Sequence, residues 1–149
     1  MREVKTEIDI AAPSSEVWRI LTDINHWQEW NPIVKQASGE ASPDSTLTIT
    51  MCSKEGKGGK DGPKYMPVIT NCEAPKRFRW RAKMMAGFLF TNDKVFELED
   101  TSNGTHLVHK ETYDGWLVPM FWNKLNENVP SMLNSMNDSL KELAEKNTH

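Results

Sequence analysis

Eight residues near the middle of the chain decide most of its architecture. Residues 77–84 run Arg-Phe-Arg-Trp-Arg-Ala-Lys-Met, basic and apolar in strict alternation. A period of two is a β-strand with one face buried and one in water. Phe78, Trp80, Ala82 and Met84 therefore need a cover, while Arg77, Arg79, Arg81 and Lys83 need solvent or counter-charge. The following strand supplies the charge, because Asp93, Glu97 and Glu99 share its outward parity. The basic row thus reads as exposed cross-strand pairs rather than a seat for a phosphate backbone or an anionic membrane.

The cover lies at the C-terminus. Trp122, Leu125, Val129, Met132, Leu133, Met136, Leu140 and Leu143 recur at helical spacing, which predicts a helix over about residues 120–146. Pro130 lacks an amide hydrogen and crowds the carbonyl of Asn126, so a kink or break is expected there. At the other end, Val4, Thr6, Ile8 and Ile10 alternate as a strand that stops before Pro13. Ser14 or Ser15 is placed to cap a helix carrying Val17, Trp18, Ile20, Leu21 and Ile24. Trp27 and Trp30 follow in a second short helix that Pro32 ends. Further strands are expected at 33–40, 46–52, 65–73, 88–100 and 105–114, with 54–63 as a flexible connection. The glycines and lysines of that connection lack the spacing of a phosphate-binding loop, and no helix follows them. The expected fold class is α+β: a curled, seven-stranded antiparallel sheet around one long C-terminal helix, with two short helices between strands one and two.

At 149 residues the chain has the length of one domain, 1–149, able to bury a core or surround a cavity. A net charge of -3 argues against a nucleic-acid partner. No apolar run reaches the roughly 20 residues that span a bilayer, so stable membrane insertion is not expected and a cytoplasmic location is. Cys52 and Cys72 are read on adjacent strands, near opposite ends of a hairpin, as free thiols. No Cys/His spacing suggests a metal site and no motif suggests a cofactor.

Several short stretches carry a family resemblance: Ala12-Pro13 before the helix with Val17-Trp18, then Trp30-Asn31-Pro32, and Pro75 with Phe78-Arg79-Trp80. Phe96-Glu97-Leu98-Glu99, Gly104-Thr105, and His109-Lys110-Glu111 before Gly115 complete the set. With these the chain resembles the START-like (SRPBCC) helix-grip superfamily, in its polyketide cyclase/dehydrase-like branch, over essentially its whole length. The resemblance implies an apolar ligand held between curled sheet and terminal helix. Many relatives carry a histidine where Lys94 stands, so that histidine's chemistry does not carry over.

The residues themselves point to the last hairpin. Centred on Ser102-Asn103, its register pairs Leu98 with Leu107, Phe96 with His109, Lys94 with Glu111 and Asn92 with Tyr113. Lys94, His109, Glu111 and Tyr113 then converge on the concave face, where a buried lysine and glutamate survive by pairing. The expected ligand-binding set is Trp80, Phe88, Phe90, Lys94, Phe96, His109, Glu111, Tyr113, Leu133 and Met136, an apolar wall with a few orienting polar groups. His106 has outward parity, His26 is read as surface, and His149 as a loose terminus. The function expected is binding or transport of a hydrophobic small molecule, such as a lipid, polyketide or isoprenoid. No catalytic residue is assigned on that reading. A cyclase or dehydratase would instead use His109 and Tyr113 as acid and base. A protein-interaction module of the chaperone-activator type would use the outer sheet face or the Trp27/Trp30 region. Oligomeric state and ligand identity are not written in the sequence.

Overall fold

The computed structural model describes residues 1–84 and 86–148. The expectation for His149 lies outside them. Strand β1 (Arg2–Ile10) leads into helix α1 (Ser14–Thr22) and a 3₁₀ segment (Ile24–Glu29). Strands β2 (Val34–Ser38), β3 (Thr48–Ser53), β4 (Gly56–Tyr65), β5 (Val68–Glu73), β6 (Arg77–Met84), β7 (Phe90–Thr101) and β8 (Gly104–Asp114) follow, and helix α2 (Val118–Thr148) ends the chain. The α+β helix-grip class is as expected.

The strand count is not. Among the described residues, eight strands form a five-stranded sheet in the order β1-β8-β7-β6-β5 and a three-stranded sheet β2-β3-β4. A bridge between Thr46 and Val68 joins them, with backbone bonds Leu47 N to Pro67 O and Ile69 N to Ser45 O. The additional strand is β4, which takes up most of the segment expected to be a loop. No side-chain alternation announces it, because glycines and lysines fill it and both its faces are largely exposed. Its backbone pairs with β3 nonetheless, and at Gly62 a Cβ would run into the backbone of Cys52. Lysine and Pro63 suit an edge strand, which this is. Cys52 accordingly sits on β3 opposite Asp61 and Cys72 on β5 opposite Phe78, in different sheets rather than on adjacent strands. Both are free thiols.

Other local expectations shift slightly. Pro13 occupies the N-cap of α1 and Ser14 is already helical, so neither serine supplies a side-chain cap. Helix α2 passes through Pro130 without a break. The outward basic row meets its acids in part: Arg81 Nε lies 3.2 Å from Asp93 and Arg79 reaches the same carboxylate at 3.7 Å, whereas Glu97 takes Lys110 of β8 at 3.2 Å and Arg77 Nε is buried without a hydrogen-bond partner among the described residues.

Inside, the curled sheets and α2 enclose two apolar clusters. One gathers Trp27, Phe78, Trp80, Phe96, Leu107, Met136 and Leu140. Its rings meet at close range, Trp27–Trp80 at 5.6 Å and Phe78–Trp80 at 5.9 Å. The other holds Val4, Tyr113, Val118, Val129 and Leu133, with Phe90, Trp122 and Leu125 half-buried against it. Register explains the layering. Val4, Thr6 and Ile8 on β1 face Glu111, His109 and Leu107 on β8, so one polar rung is inserted between apolar ones.

Candidate functional site

That rung is the candidate site. All four expected pairs of the last hairpin occur: Leu98–Leu107, Phe96–His109, Lys94–Glu111 and Asn92–Tyr113. Lys94 and His109 are buried, and the Lys94 Nζ lies 3.5 Å from Glu111 Oε1 and 3.1 Å from His109 Nε2. An ammonium has no lone pair, so Nε2 must accept and the imidazole proton must sit on Nδ1. That proton is given to Asn137 Oδ1 at 2.7 Å. The amide nitrogen of Asn137 donates to Thr6 Oγ1 at 2.8 Å, and the Thr6 hydroxyl donates to the His109 carbonyl at 2.7 Å. One charge thus sets the direction of every bond in the chain.

Electrostatics follow the same logic. Burial, with the Lys94 charge beside it, holds the His109 imidazole well below the ordinary histidine range, although the Asn137 bond works the other way. It is a neutral ring, stacked on Phe96 at 4.2 Å. Tyr113 donates to Glu111 Oε2 at 2.6 Å, and burial together with that carboxylate pushes its phenol upward. Half-buried Tyr65 is raised by the same two causes. Lys94 also lies 5.7 Å from the ring centroids of Trp80 and Phe96.

The structure does not bring His109 and Tyr113 into one acid–base couple. The histidine belongs to Lys94 and Asn137, the tyrosine to Glu111. Trp80, Phe96, His109, Leu133 and Met136 are closed in by neighbours, with 0–1% of their surface accessible. Phe90 is half-buried beside Tyr113, with the ring centroids 5.8 Å apart. Phe88 departs from expectation: it lies in the turn before β7, 65% exposed, packed edge-on to Trp116 at 5.9 Å. The strand begins two residues later than its hydrophobicity suggests, so Phe88 has no inward parity. His26 and His106 lie on the surface side, bonded to Asp23 and to Asp9 and Glu7.

Reading the sequence for charges and aromatics missed Thr6 and Asn137. Asn137 was detectable: it falls four residues after Leu133 and three before Leu140, squarely on the apolar stripe. A further feature has no sequence signature. Asn92 Nδ2 and Trp80 Nε1 are buried donors without a hydrogen-bond partner among the described residues. Two surface depressions, of about 430 and 390 Å³, lie elsewhere, one around Pro13 and Gly104 and one around Trp30 and Leu143.

A family model described as polyketide cyclase / dehydrase and lipid transport matches residues 1–145. The chain belongs to this family. Solved structures agree on the fold. The di-domain ARO/CYC StfQ of the steffimycin biosynthetic pathway superposes with a TM-score of 0.80 at 13% identity, over 97% of this chain and 51% of that one. A protein from Thermus thermophilus gives 0.77 at 16% identity, covering 99% of this chain and all of its own. Norcoclaurine synthase of Thalictrum, solved with a transition-state analogue, gives 0.74 at 11% identity over 99% and 96%. A comparison with curated proteins gives no match. Among the described residues no helix is long and apolar enough to cross a membrane.

Proposed function

We propose that this protein binds a hydrophobic small molecule bearing at least one oxygen, held between the sheet and the first half of α2. The observation that carries the reading is Asn92. Its amide nitrogen is buried and unpartnered, on the concave face two residues from Lys94 and opposite Tyr113. The deeper Lys94, His109, Asn137 and Thr6 groups satisfy one another, which leaves Asn92 Nδ2, together with Trp80 Nε1 on the neighbouring strand, as a donor on this face without a partner among the described residues. A buried donor left without a partner costs about 1–3 kcal/mol, and a guest oxygen would remove that cost. Phe90, Trp122 and Leu125 are half-buried against Tyr113 and Leu133 at this end and supply an apolar wall.

Binding is favoured over turnover by the state of His109. Both ring nitrogens are occupied, and the ring is kept neutral by burial. A general base needs a free lone pair within reach of its proton. Here the lone pair already accepts from Lys94.

Native mass spectrometry of the purified protein tests for a co-purifying guest. Asn92→Leu then separates the two roles of the donor. It should stabilise the empty protein by about 1 kcal/mol, while weakening guest binding by the 0.5–1.5 kcal/mol of roughly one hydrogen bond. A variant that is destabilised when empty and binds unchanged would refute the assignment. Turnover of a polyketide-like substrate that falls by about a hundredfold or more in His109→Phe would establish the cyclase or dehydratase reading instead.

A further inference from the structure

The buried hydrogen-bonding groups left unspent on the concave face are both donors. Asn92 Nδ2 and Trp80 Nε1 have no partner among the described residues, and the two residues are 9% and 1% exposed. Interiors leave few such groups, and each calls for a cause. The ionic and ring acceptors nearby are already engaged. Glu111 Oε2 receives the Tyr113 hydroxyl, and Glu111 Oε1 faces the Lys94 ammonium at 3.5 Å. His109 Nε2 receives that ammonium, and Asn137 Oδ1 receives His109.

Register makes the two donors neighbours. Trp80 stands opposite Lys94 and Ala82 opposite Asn92, so Trp80 and Asn92 are diagonal positions on one face of β6 and β7. Such positions lie about 7–8 Å apart, within the span of one small molecule. Ala82 is the smallest side chain of the inward row Phe78, Trp80, Ala82, Met84, and reaches least far into the interior beside Asn92. The chemistry of the two atoms then selects what meets them. Indole and amide nitrogens donate and do not accept. A hydroxyl would satisfy one of them but bring a hydrogen that needs an acceptor in its turn. Water would bring two, which moves the shortage rather than ending it. A carboxylate would add a buried negative charge where Lys94 and Glu111 already compensate each other. A carbonyl oxygen accepts and brings neither a hydrogen nor a charge.

We propose that the guest is a neutral dicarbonyl on an apolar frame, of the quinone or diketone class, with one oxygen accepting from Asn92 Nδ2 and the other from Trp80 Nε1. The inference rests on the guest-binding reading and narrows it from one oxygen to two, both acceptors. Trp80 thereby becomes a specificity residue. Its ring packs on Trp27 and Phe78, while its nitrogen reads the second oxygen. Alcohols, phenols and free acids are disfavoured by the same donors.

Equilibrium dialysis of the purified full chain against durene, durenol and duroquinone tests it. The three share one carbon frame and carry no oxygen, one hydroxyl and two carbonyls. The methyl groups of duroquinone also block addition to the free thiols of Cys52 and Cys72. Measured relative to durene, duroquinone should lose about threefold or more in affinity in Asn92→Leu, and again in Trp80→Phe. Durenol should lose in one variant at most. In the unaltered protein, the assigned Trp80 indole N–H resonance should move further downfield with duroquinone than with durene. That measurement stands even where Trp80→Phe does not fold. A Trp80 resonance that responds alike to durene and duroquinone overturns the dicarbonyl assignment and leaves guest binding standing. So does duroquinone that loses no more than durene in a folded Trp80→Phe protein, or durenol that loses as much as duroquinone in both variants. Absence of binding by all three overturns the guest-binding reading and this inference with it, so the two failures are distinguishable.

Discussion

Replacing Glu111 by leucine is expected to destabilise the protein more than replacing Lys94 by methionine, although the two face each other. The side chains are 5% and 12% exposed for Lys94 and Glu111, and their charged atoms are 3.5 Å apart. Glu111→Leu leaves an ammonium buried with only a neutral imidazole to receive it, and it strips the Tyr113 hydroxyl of its acceptor. Removing one partner of a buried pair costs about 3–5 kcal/mol. Lys94→Met leaves a carboxylate that is nearer the surface and still accepts from Tyr113. The methionine keeps most of the lysine stem's packing, and the main loss is the donor to His109 Nε2, about 1–3 kcal/mol. Replacing both residues at once should cost at least about 1 kcal/mol less than the two single losses combined, because neither charge is then stranded. Urea unfolding, followed by tryptophan fluorescence at constant slope, measures all three against a total of about 5–15 kcal/mol for a chain of this size. Equal losses, a reversed order, or strict additivity would refute the argument that the carboxylate is what makes this lysine tolerable.

The remaining expectations concern the same interior and one turn. His109 is depressed in the folded state, so the unfolded chain binds a proton first as pH falls below about 6.5, and stability drops there. His26 and His106 are raised by their carboxylates and contribute the opposite slope. The His109 contribution is therefore read as the difference in pH slope between the protein and His109→Phe, and an identical slope refutes it. Asn137→Leu should cost about 1–3 kcal/mol in urea unfolding, since the His109 Nδ1 proton loses its acceptor; a neutral result would mean the rung is not closed. Gly104 has φ +150° at the β7–β8 turn, and a Cβ there collides with the Ile10 carbonyl oxygen. Gly104→Ala should lower the urea midpoint by an amount corresponding to about 1–3 kcal/mol, and an unchanged midpoint would show that the turn yields.

The last hairpin was legible residue by residue because both of its strands alternate and a tight turn fixes their offset. Register once fixed, Lys94 opposite Glu111 and Phe96 opposite His109 follow without further information. Strand β4 was not legible, since an edge strand of glycine and lysine buries no face and leaves no period to find. Phe88 misled for the converse reason: hydrophobicity marks a wish for burial, yet the backbone of the turn turns the ring outward. Asn137 was overlooked because a search for apolar residues at helical spacing ignores the one polar residue that shares their face. The pairing of His109 with that amide crosses 28 residues of sequence, and no local pattern encodes it.

The buried amide also acts as an address for the terminal helix. Leucines and methionines run the length of α2, and such a surface can slide along a groove with little change in the area it covers. Asn137 cannot slide, because its oxygen and nitrogen find partners at one position only, between His109 and Thr6. A shift of one helical turn would bring Leu133 or Lys141 to that position and leave two buried polar groups facing either hydrocarbon or a second ammonium. The cost of a wrong position, more than the gain from the right one, gives the helix a single axial setting. A polar contact too small to hold the fold together can still decide which of several nearly equivalent packings the chain adopts.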